Sequence, residues 1–274
     1  MSAFSAAWLS LREPADARAA AAVLAVRLRR QLRPPLHILD LGAGTGALLR
    51  QLAPRLPRPQ LWRLVERDPA LVAAGRRRLA RLPSGVRAVW VEADLRAGLG
   101  PHLEPPPQLI TASALLDLVS EAWLAELAAA LRALGGTAFY ARLTFDGRIR
   151  FAPPHPWDAR IARLLCAHQR RDKGFGPALG PRAWLWLAHH LPGLCTVSSP
   201  WRLGPEAGEL QRRLIRAWAR AAAEQAPGEG DGIAAWCRFR LRALARGEGR
   251  LWVGHRDQLW LPRSGARPHP VAAA

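Results

Sequence analysis

Three cysteines in 274 residues are too few and too scattered for a disulfide framework or a zinc site. Cys166, Cys195 and Cys237 stand far apart without any C-x-x-C pair, whereas such structures need paired or clustered ligands. No apolar stretch approaches the roughly 20 residues that span a bilayer. The first residues also lack the basic and apolar regions of a secretory signal. We therefore expect a soluble, cytoplasmic protein without a membrane partner.

Lysine is almost absent, although the chain is strongly basic. Its 40 basic residues include a single lysine, Lys173, and the formal net charge is +19. Such a charge normally indicates an anionic partner such as nucleic acid. Here, however, the arginines are spread along the whole chain and over predicted helix faces instead of forming one tract. The pattern favours solvated helix faces, and a nucleic-acid surface is the less favoured alternative.

Internal repeats are absent too, and short apolar runs alternate with amphipathic segments. The first five runs are LHILDL, LWRLVE, VRAVWVE, QLITAS and GGTAFYARLTF, and two later ones are CTVSSPWRL and LWVGHRDQLWL. Such runs predict buried strands, and the segments between them predict helices. We therefore expect an α/β fold: a Rossmann-like, doubly wound, seven-stranded, mostly parallel sheet with helices on both faces.

The segments outside this pattern predict how the chain is divided. An Ala-rich amphipathic helix is expected from Pro14 to Leu32, where a Pro-Pro pair follows and would end it. The expected divisions are an N-terminal helical cap (1–35), a main domain (36–262) with a helical lid insertion (about 152–180) and extra helices (about 205–247), and a disordered tail (263–274).

A glycine-rich loop follows the first predicted strand. In ILDLGAGTG the glycines are Gly42, Gly44 and Gly46, and a strand that turns sharply into a helix against a ligand needs residues without a Cβ. Dinucleotide-binding loops have the spacing G-x-G-x-x-G, and phosphate-binding P-loops end in Lys-Ser/Thr. This loop has neither pattern, so a polyphosphate ligand is not indicated.

Three carboxylates accompany the loop. Asp40 precedes it by two residues, where the side chain could orient the loop or approach a cationic group of a ligand. Glu66 ends the second predicted strand, at the distance from which a carboxylate reaches ribose hydroxyls in nucleotide-binding α/β folds. Asp94 follows the third strand, where it could accept from an adenine amino group. Together they predict a pocket for a cationic nucleoside.

The motifs ILDLGAGTG, LVERDP and VEADL resemble those of class I S-adenosylmethionine-dependent methyltransferases, from Leu36 to about Phe145. The resemblance implies a seven-stranded sheet with S-adenosylmethionine at the carboxyl ends of its strands. Family members pair their last two strands closely, whereas two predicted helices separate these strands here. The implied cofactor-binding residues are Asp40, Gly42, Ala43, Gly44, Gly46, Glu66, Arg67, Asp94, Leu95 and Ser113.

The segment after the fourth strand, TASALLDLVS, is expected to line the acceptor chamber. It lacks the D/N-P-P-Y/F/W motif that the family's enzymes for exocyclic amines of nucleobases often carry at this place. Asp117 is a candidate general base, because a hydroxyl acceptor must lose a proton. A helix cap or surface carboxylate is the alternative explanation for this residue.

The predicted lid contains the stretch HQRRDKGFG. His168 is a candidate catalytic residue, although it shares a helical stripe with apolar residues and would equally suit a packed core. Asp172, Lys173 and Phe175 are candidate substrate-binding residues, with a solvated ion pair as the alternative for the first two. We hypothesise that Lys173 meets an anionic or carbonyl group of the acceptor while Phe175 closes over it. The segment resembles a bacterial branch of the same family that implies no particular acceptor.

Two further polar residues receive structural interpretations. Arg12 precedes the first predicted helix, and a surface salt bridge is favoured over contact with the cofactor's carboxylate. His255 lies in the last predicted strand, where alternation puts it on one side with Val253, and it is interpreted as structural.

The functional prediction is an S-adenosylmethionine-dependent methyltransferase that methylates an oxygen atom of a small-molecule acceptor. The alternatives are an RNA methyltransferase, a non-catalytic S-adenosylmethionine-binding module and, less favoured, an NAD-dependent oxidoreductase. The net charge supports the RNA methyltransferase, and the scattered arginines oppose it.

Overall fold

A central sheet organises the computed structural model, which describes residues 4–262, so the predicted tail at 263–274 lies outside the described residues. Within them the sheet has eight strands in the order β3-β2-β1-β4-β5-β8-β6, and β7 also pairs with β8. The strands are β1 (Leu36–Leu41), β2 (Gln60–Glu66), β3 (Val86–Glu92), β4 (Leu109–Ser113), β5 (Ala138–Ala152), β6 (Cys195–Ser198), β7 (Trp201–Leu203) and β8 (Arg250–Trp260).

The sheet confirms the predicted Rossmann-like fold, with one difference in strand count. Strands β1 to β5 pair in parallel, and β8 pairs antiparallel with β5, β6 and β7. The predicted sixth strand is divided at Ser199-Pro200 into β6 and β7. Pro200 has no N–H to donate to a ladder, and the Ser199 side chain instead donates to Asp257 Oδ1 at 2.6 Å. The helices before β8 do not prevent its close pairing with β6.

Helices cover both faces of the sheet. Leu24, Leu49 and Ile38 belong to the core on one face, and Leu39 and Leu127 to the core on the other. Neighbouring residues of β1 are therefore buried on opposite faces, as expected for a parallel strand between two helical layers. The helices are α1 (Ala6–Ala19), α2 (Ala22–Gln31), α3 (Ala47–Leu52), α4 (Pro69–Arg78), α5 (Glu121–Leu134), α6 (Asp158–Gln169), α7 (Ala183–His190), α8 (Gly208–Gln225) and α9 (Gly230–Ala245).

The prediction of a single helix from Pro14 to Leu32 is wrong. The chain forms α1 and α2, and the break falls at an alanine-rich junction that carries no sequence signal for it. The N–H of Ala21 donates to Asp257 Oδ2 on β8 at 2.9 Å, so a tertiary contact satisfies the backbone where the helix is interrupted. The break lets α1 lie beside β7 and α4.

The predicted lid and the predicted extra helices form one helical group. Helix α6 packs against α8, and α8 packs against α9. Their shared core includes Ile161, Leu165, Ile215 and Trp236. Within residues 4–262, none of the helices combines the length and the apolar character that crossing a membrane would require.

Candidate functional site

A cavity of about 610 Å³ lies at the carboxyl ends of the parallel strands, beneath α1, α6 and α8. Ligands of open α/β sheets bind at this edge. The wall has two parts. The part made by the glycine loop and the ends of β2 and β4 is called the loop side. The part made by the three helices and by residues of β5, β7 and β8 is called the helical side.

Two of the three loop glycines lie in the cavity wall. Gly42 and Gly44 have φ angles of 66° and 58°, a left-handed conformation that glycine adopts without strain. A Cβ at Gly44 would also lie 3.0 Å from Leu9 Cδ1 of α1. Gly46 is not in the wall, because it precedes α3 as its cap and faces Leu79. The role of Gly46 in cofactor binding therefore stays a prediction, and the structure places this glycine at the start of α3, outside the cavity wall.

Asp40 is a buried carboxylate in the wall with one unpartnered oxygen. Its Oδ1 accepts from Thr111 Oγ1 at 2.7 Å, whereas Oδ2 has no hydrogen-bond partner among the described residues. Burial raises the pKa of Asp40 to about 7, and the neighbouring Glu66 charge adds to the rise while the Thr111 hydrogen bond opposes it. An unpaired buried carboxylate oxygen indicates a missing donor.

Glu66 connects the end of β2 to the glycine loop. Its Oε2 accepts from the Gly44 N–H at 2.9 Å, and its Oε1 accepts from the N–H groups of Arg67 and Asp68 at 2.9 and 3.0 Å. Burial raises the pKa of Glu66, and these three hydrogen bonds oppose the rise. The carboxylate thereby holds the glycine loop against the end of β2.

The remaining predicted cofactor residues also line the loop side. They are Ala43, Arg67, Asp94, Leu95 and Ser113. Asp94 forms an ion pair with Arg96. Its Oδ2 also lies 3.6 Å from Arg67 Nη1. The hydrogen bond from Arg96 is the main reason that the pKa of Asp94 falls to about 2, so this carboxylate is ionised throughout the neutral range.

Two non-glycine residues in the wall have left-handed backbone conformations. Ala114 and Leu143, at the ends of β4 and the parallel part of β5, have φ angles of 52° and 56°. The Ala114 N–H donates to the Arg142 carbonyl at 2.9 Å, and the Leu143 N–H donates to Asp257 Oδ1 at 3.0 Å. Such conformations cost about 1–3 kcal/mol each and cluster at functional sites. They support the cavity as the functional site.

Asp117 is neither a surface carboxylate nor a helix cap. It lies in a one-turn 3-10 helix (Leu116–Leu118), is 6% exposed and lines the cavity. Its Oδ1 has no hydrogen-bond partner among the described residues. Burial raises the pKa of Asp117 to about 6, with partial opposition from its own N–H, the Arg12 cation and the Phe145 N–H. A carboxyl group with this pKa can exchange a proton near neutral pH.

The lid residues fall into two groups. His168 and Lys173 line the cavity, with Lys173 Nζ 3.5 Å from His168 Nδ1 and His168 Nε2 3.1 Å from Glu224 Oε2. Burial lowers the pKa of Lys173, and the neighbouring Arg171 cation adds to this effect. Phe175 also lies in the wall, edge-on to Trp123 at a ring distance of 6.0 Å.

Asp172 is not among the residues that line the cavity, so its predicted contact with the substrate stays a prediction that this geometry does not support. Its Oδ1 accepts from the N–H groups of Gly174 and Gly176 at 2.6 and 3.0 Å. The alternative of an ion pair between Asp172 and Lys173 is not seen either. The short side chain stabilises the turn that follows it, as aspartates commonly do before glycine.

The N-terminal helix supplies wall residues that the sequence interpretation missed. Arg12 forms the expected salt bridge, with Asp16, but the pair lies in the cavity wall and not on the surface, since Arg12 is 11% exposed. Its Nε donates to Asp16 Oδ2 at 2.9 Å, and its guanidinium carbon lies 4.9 Å from the centre of the Trp201 ring. Trp8, one turn before it, also lines the cavity, and its Nε1 is buried without a partner among the described residues.

His255 faces the cavity and does not serve only as a strand residue. It is 6% exposed, and its ring centre lies 4.9 Å from that of Trp201 and 6.3 Å from that of Phe145. Nδ1 has no hydrogen-bond partner among the described residues. Burial, with a contribution from the Arg12 cation, lowers the pKa of His255 to about 3. Strand alternation correctly places His255 beside Val253, but no sequence signal indicates that this side of β8 borders a cavity.

Comparisons with known proteins identify the part of the chain that builds the loop side. Residues 38–135 match the family model described as a methyltransferase domain. No curated protein matches the sequence.

The chain is also similar to several solved structures. A cyclopropane-fatty-acyl-phospholipid synthase-like protein from Lactobacillus casei is 15% identical and has a TM-score of 0.49. The match covers 90% of this chain and 91% of that one. A SAM-dependent methyltransferase from Geobacter sulfurreducens, in complex with S-adenosyl-L-homocysteine, is 15% identical, with a TM-score of 0.44 over 93% and 98%. One from Thiobacillus denitrificans, in complex with the same compound, is 13% identical, with a TM-score of 0.42 over 94% and 92%. Structural similarities with TM-scores this low do not bear on the identity of the acceptor.

The matched segment runs from β1 to the end of α5 and includes the glycine loop, Glu66, Asp94 and Asp117. These residues surround one cavity at the strand ends, where the family's motifs imply a methyl donor. Residues 38–135 therefore match a methyltransferase domain, and they supply the loop side of the cavity.

Proposed function

We propose that this methyltransferase methylates a hydroxyl oxygen of a small molecule that is enclosed beneath α1, α6 and α8. The observation that carries the proposal is Asp117, a buried carboxylate whose Oδ1 has no partner among the described residues and which lines the same cavity as the glycine loop. A hydroxyl group is the acceptor that would both donate to this oxygen and need to lose a proton to it.

The loop side has the chemistry that S-adenosylmethionine requires. Asp40 Oδ2 is a buried acceptor without a donor, and it suits the ammonium group of the methionine part. Glu66, whose lone pairs are only partly used by backbone N–H groups, suits the ribose hydroxyls. Asp94 and Leu95 would border the adenine, and Ser113 the methionine part. When bound, S-adenosylmethionine supplies an electrophilic methyl group on a sulfonium.

The chain's own contribution to the reaction is positioning, water exclusion and proton removal. The three helices and the sheet would hold the acceptor hydroxyl in line with the methyl group, and such alignment supplies much of the rate of a displacement. The apolar helical side limits water in the chamber. Asp117 Oδ1 would take the hydroxyl proton as the acceptor oxygen bonds to the methyl carbon and the carbon–sulfur bond breaks, which leaves its electron pair on the sulfur of S-adenosylhomocysteine. The carboxyl group would later release the proton to solvent.

The size of the cavity supports a small acceptor. About 610 Å³ must contain both the methyl donor and the acceptor, and pockets of this order hold molecules of drug size. Lys173 lies in the wall and keeps donors beyond the one directed at His168. The proposal therefore retains Lys173 as a contact for a carbonyl or anionic group of the acceptor, and Phe175 as its cover.

A labelling experiment tests the proposed function. The purified protein is incubated with methyl-labelled S-adenosylmethionine and a fractionated cell extract, and S-adenosylhomocysteine binding is measured separately by calorimetry. We expect heat from S-adenosylhomocysteine and base-stable label in a low-molecular-weight fraction, as for an ether. Label in RNA would favour the RNA methyltransferase, and binding without transfer to any fraction would favour a non-catalytic binding module.

Asp40 predicts how cofactor affinity depends on pH. Because its pKa is raised to about 7, Asp40 is largely protonated below that pH, and only the ionised form attracts an ammonium group. We expect the dissociation constant of S-adenosylhomocysteine to rise as pH falls below about 7, by up to about tenfold per unit. Calorimetry between pH 5.5 and 8.5, roughly the range on either side of that pKa, measures it.

A matched variant distinguishes whether Asp40 or Glu66, whose pKa is also raised, causes the pH dependence of cofactor binding. Asp40→Asn keeps the shape but has no charge to lose, so it should bind more weakly and without the pH dependence. If that variant retains the dependence, Glu66 is responsible instead. Glu92→Gln, at the exposed end of β3, should behave like the unchanged protein.

A further inference from the structure

The helical side of the cavity carries a group of aromatic rings from five different elements. They are Trp8 of α1, Phe145 of β5, Trp201 of β7, Trp218 of α8 and His255 of β8. The Trp201 and His255 rings are tilted by 59°, and the Phe145 and His255 rings by 62°. Rings arranged around a space in this way offer faces and edges to a flat guest, which aromatic pairs prefer.

Three residues that line the cavity each have one buried polar atom without a hydrogen-bond partner among the described residues. These atoms are Trp8 Nε1, Asp117 Oδ1 and His255 Nδ1. An indole N–H only donates, so it requires an acceptor atom on the guest, whereas an ionised carboxylate only accepts and requires an O–H or N–H. The complementary guest therefore has at least two polar functions, a hydroxyl and a second oxygen, on an otherwise apolar body.

The charges around the chamber favour a guest without net charge. Arg12 is paired with Asp16 and held over Trp201, Lys173 and His168 lie towards the lid, and the carboxylates of Asp16 and Asp117 also border the space. Because charges of both signs line the wall, a guest with a net charge of either sign would lose its hydration and meet a like charge as well as an opposite one. Like charges in a poorly solvated space repel strongly.

From these contacts we infer that the acceptor is an uncharged aromatic ring that carries a hydroxyl and a second oxygen substituent, selected by Trp8 and His255. The inference rests on the proposed function and specifies its substrate class. Trp8 and Arg12 are one turn apart on α1 and face the chamber together. Helix α1 is anchored by an ion pair between Glu13 and Arg50 at 2.7 Å, so it presents a preformed wall to the ring.

The experiment measures binding to protein saturated with S-adenosylhomocysteine. The probe is 2,3-dihydroxynaphthalene, and the comparison compounds are 1-octanol, which has an aliphatic hydroxyl, and 2-naphthylmethylamine, which is a cation with the same rings. We expect the diol to bind at least about tenfold more tightly than either compound. Equal or tighter binding of octanol or of the cation would overturn the inference.

Two variants keep a ring and remove one hydrogen-bonding atom each. Trp8→Phe, on the half-buried face of α1, and His255→Phe, on β8, should each weaken diol binding about three- to tenfold, with S-adenosylhomocysteine affinity unchanged. If both variants bind the diol as the parent does, the assignment is wrong. Loss of S-adenosylhomocysteine binding by the parent protein would instead refute the proposed function, so the two failures are distinguishable.

Discussion

Replacing Asp117 by asparagine is expected to lower kcat by about 100- to 10,000-fold, the range that a positioned general base contributes. Asparagine keeps the shape of the side chain and can still accept from the N–H groups of Asp117's own residue and of Phe145. It cannot accept the acceptor's proton, however, so the loss should appear in kcat and only slightly in KM. Initial rates with the acceptor fraction that the unchanged protein labels would measure this.

The pH profile of the same reaction provides an independent readout. The rate requires ionised Asp117, whose pKa is raised to about 6, so it should fall as pH drops through that value. The asparagine variant should lose this dependence. Asp231→Asn, an exposed carboxylate at the start of α9, is the matched control and should retain the parent rate. Turnover within a few-fold of the parent in Asp117→Asn would show that the acceptor ionises without this residue.

Replacing Glu66 by alanine is expected to weaken S-adenosylhomocysteine binding by about 100-fold or more. The carboxylate accepts from the N–H groups of Gly44, Arg67 and Asp68. Its removal leaves those donors unpaired and releases the glycine loop, and it also removes the proposed ribose contact. Hydrogen bonds to charged groups contribute about 1.5–3 kcal/mol each. Losing two of them therefore costs more free energy than an approximately 100-fold decrease in affinity corresponds to.

Calorimetry measures the Glu66→Ala loss directly, and a thermal melt establishes that the variant is folded. The affinity of Glu66→Gln should lie between those of the parent and of Glu66→Ala, because its amide keeps one acceptor oxygen but directs a donor at the backbone N–H groups. Glu92→Ala is the control, since Glu92 ends β3 in an exposed position and is 3.5 Å from Arg76. A Glu66→Ala variant that binds within threefold of the parent would remove Glu66 from the cofactor site.

The loop side of the site could be predicted because its signals are local. The residues between Asp40 and Gly44 are continuous in sequence. Glu66 is the last residue of β2, which pairs in parallel with β1, and Asp94 lies two residues beyond β3, which pairs in parallel with β2. Parallel strands bring their carboxyl ends to one edge, so position in the sequence determines position at the cavity. Gly46 is the exception, because a shift of two residues beyond Gly44 already places it at the start of α3.

The part of the helical side that α1, β7 and β8 supply could not be predicted, because its residues meet only through long-range packing. Arg12 and His255 are at opposite ends of the chain, and each has an ordinary explanation when considered alone. Asp172 illustrates the reverse case, since an acid beside a glycine turn resembles a binding residue but uses its oxygen on the turn's own backbone. Neither outcome is encoded by spacing.

By itself the sequence determined the α/β class, the parallel sheet of the first five strands, and the glycine loop with its three carboxylates, since periodicity and strand ends are local properties. It also pointed to Asp117 as the candidate base. Only the tertiary structure decided that the predicted N-terminal helix is interrupted at Ala21, whose N–H donates to Asp257, and that α1, α8 and β8 contribute to the wall of the cavity. The physical reason is that burial depends on which surfaces pack together, and a residue's burial determines whether its polar atoms remain for a ligand.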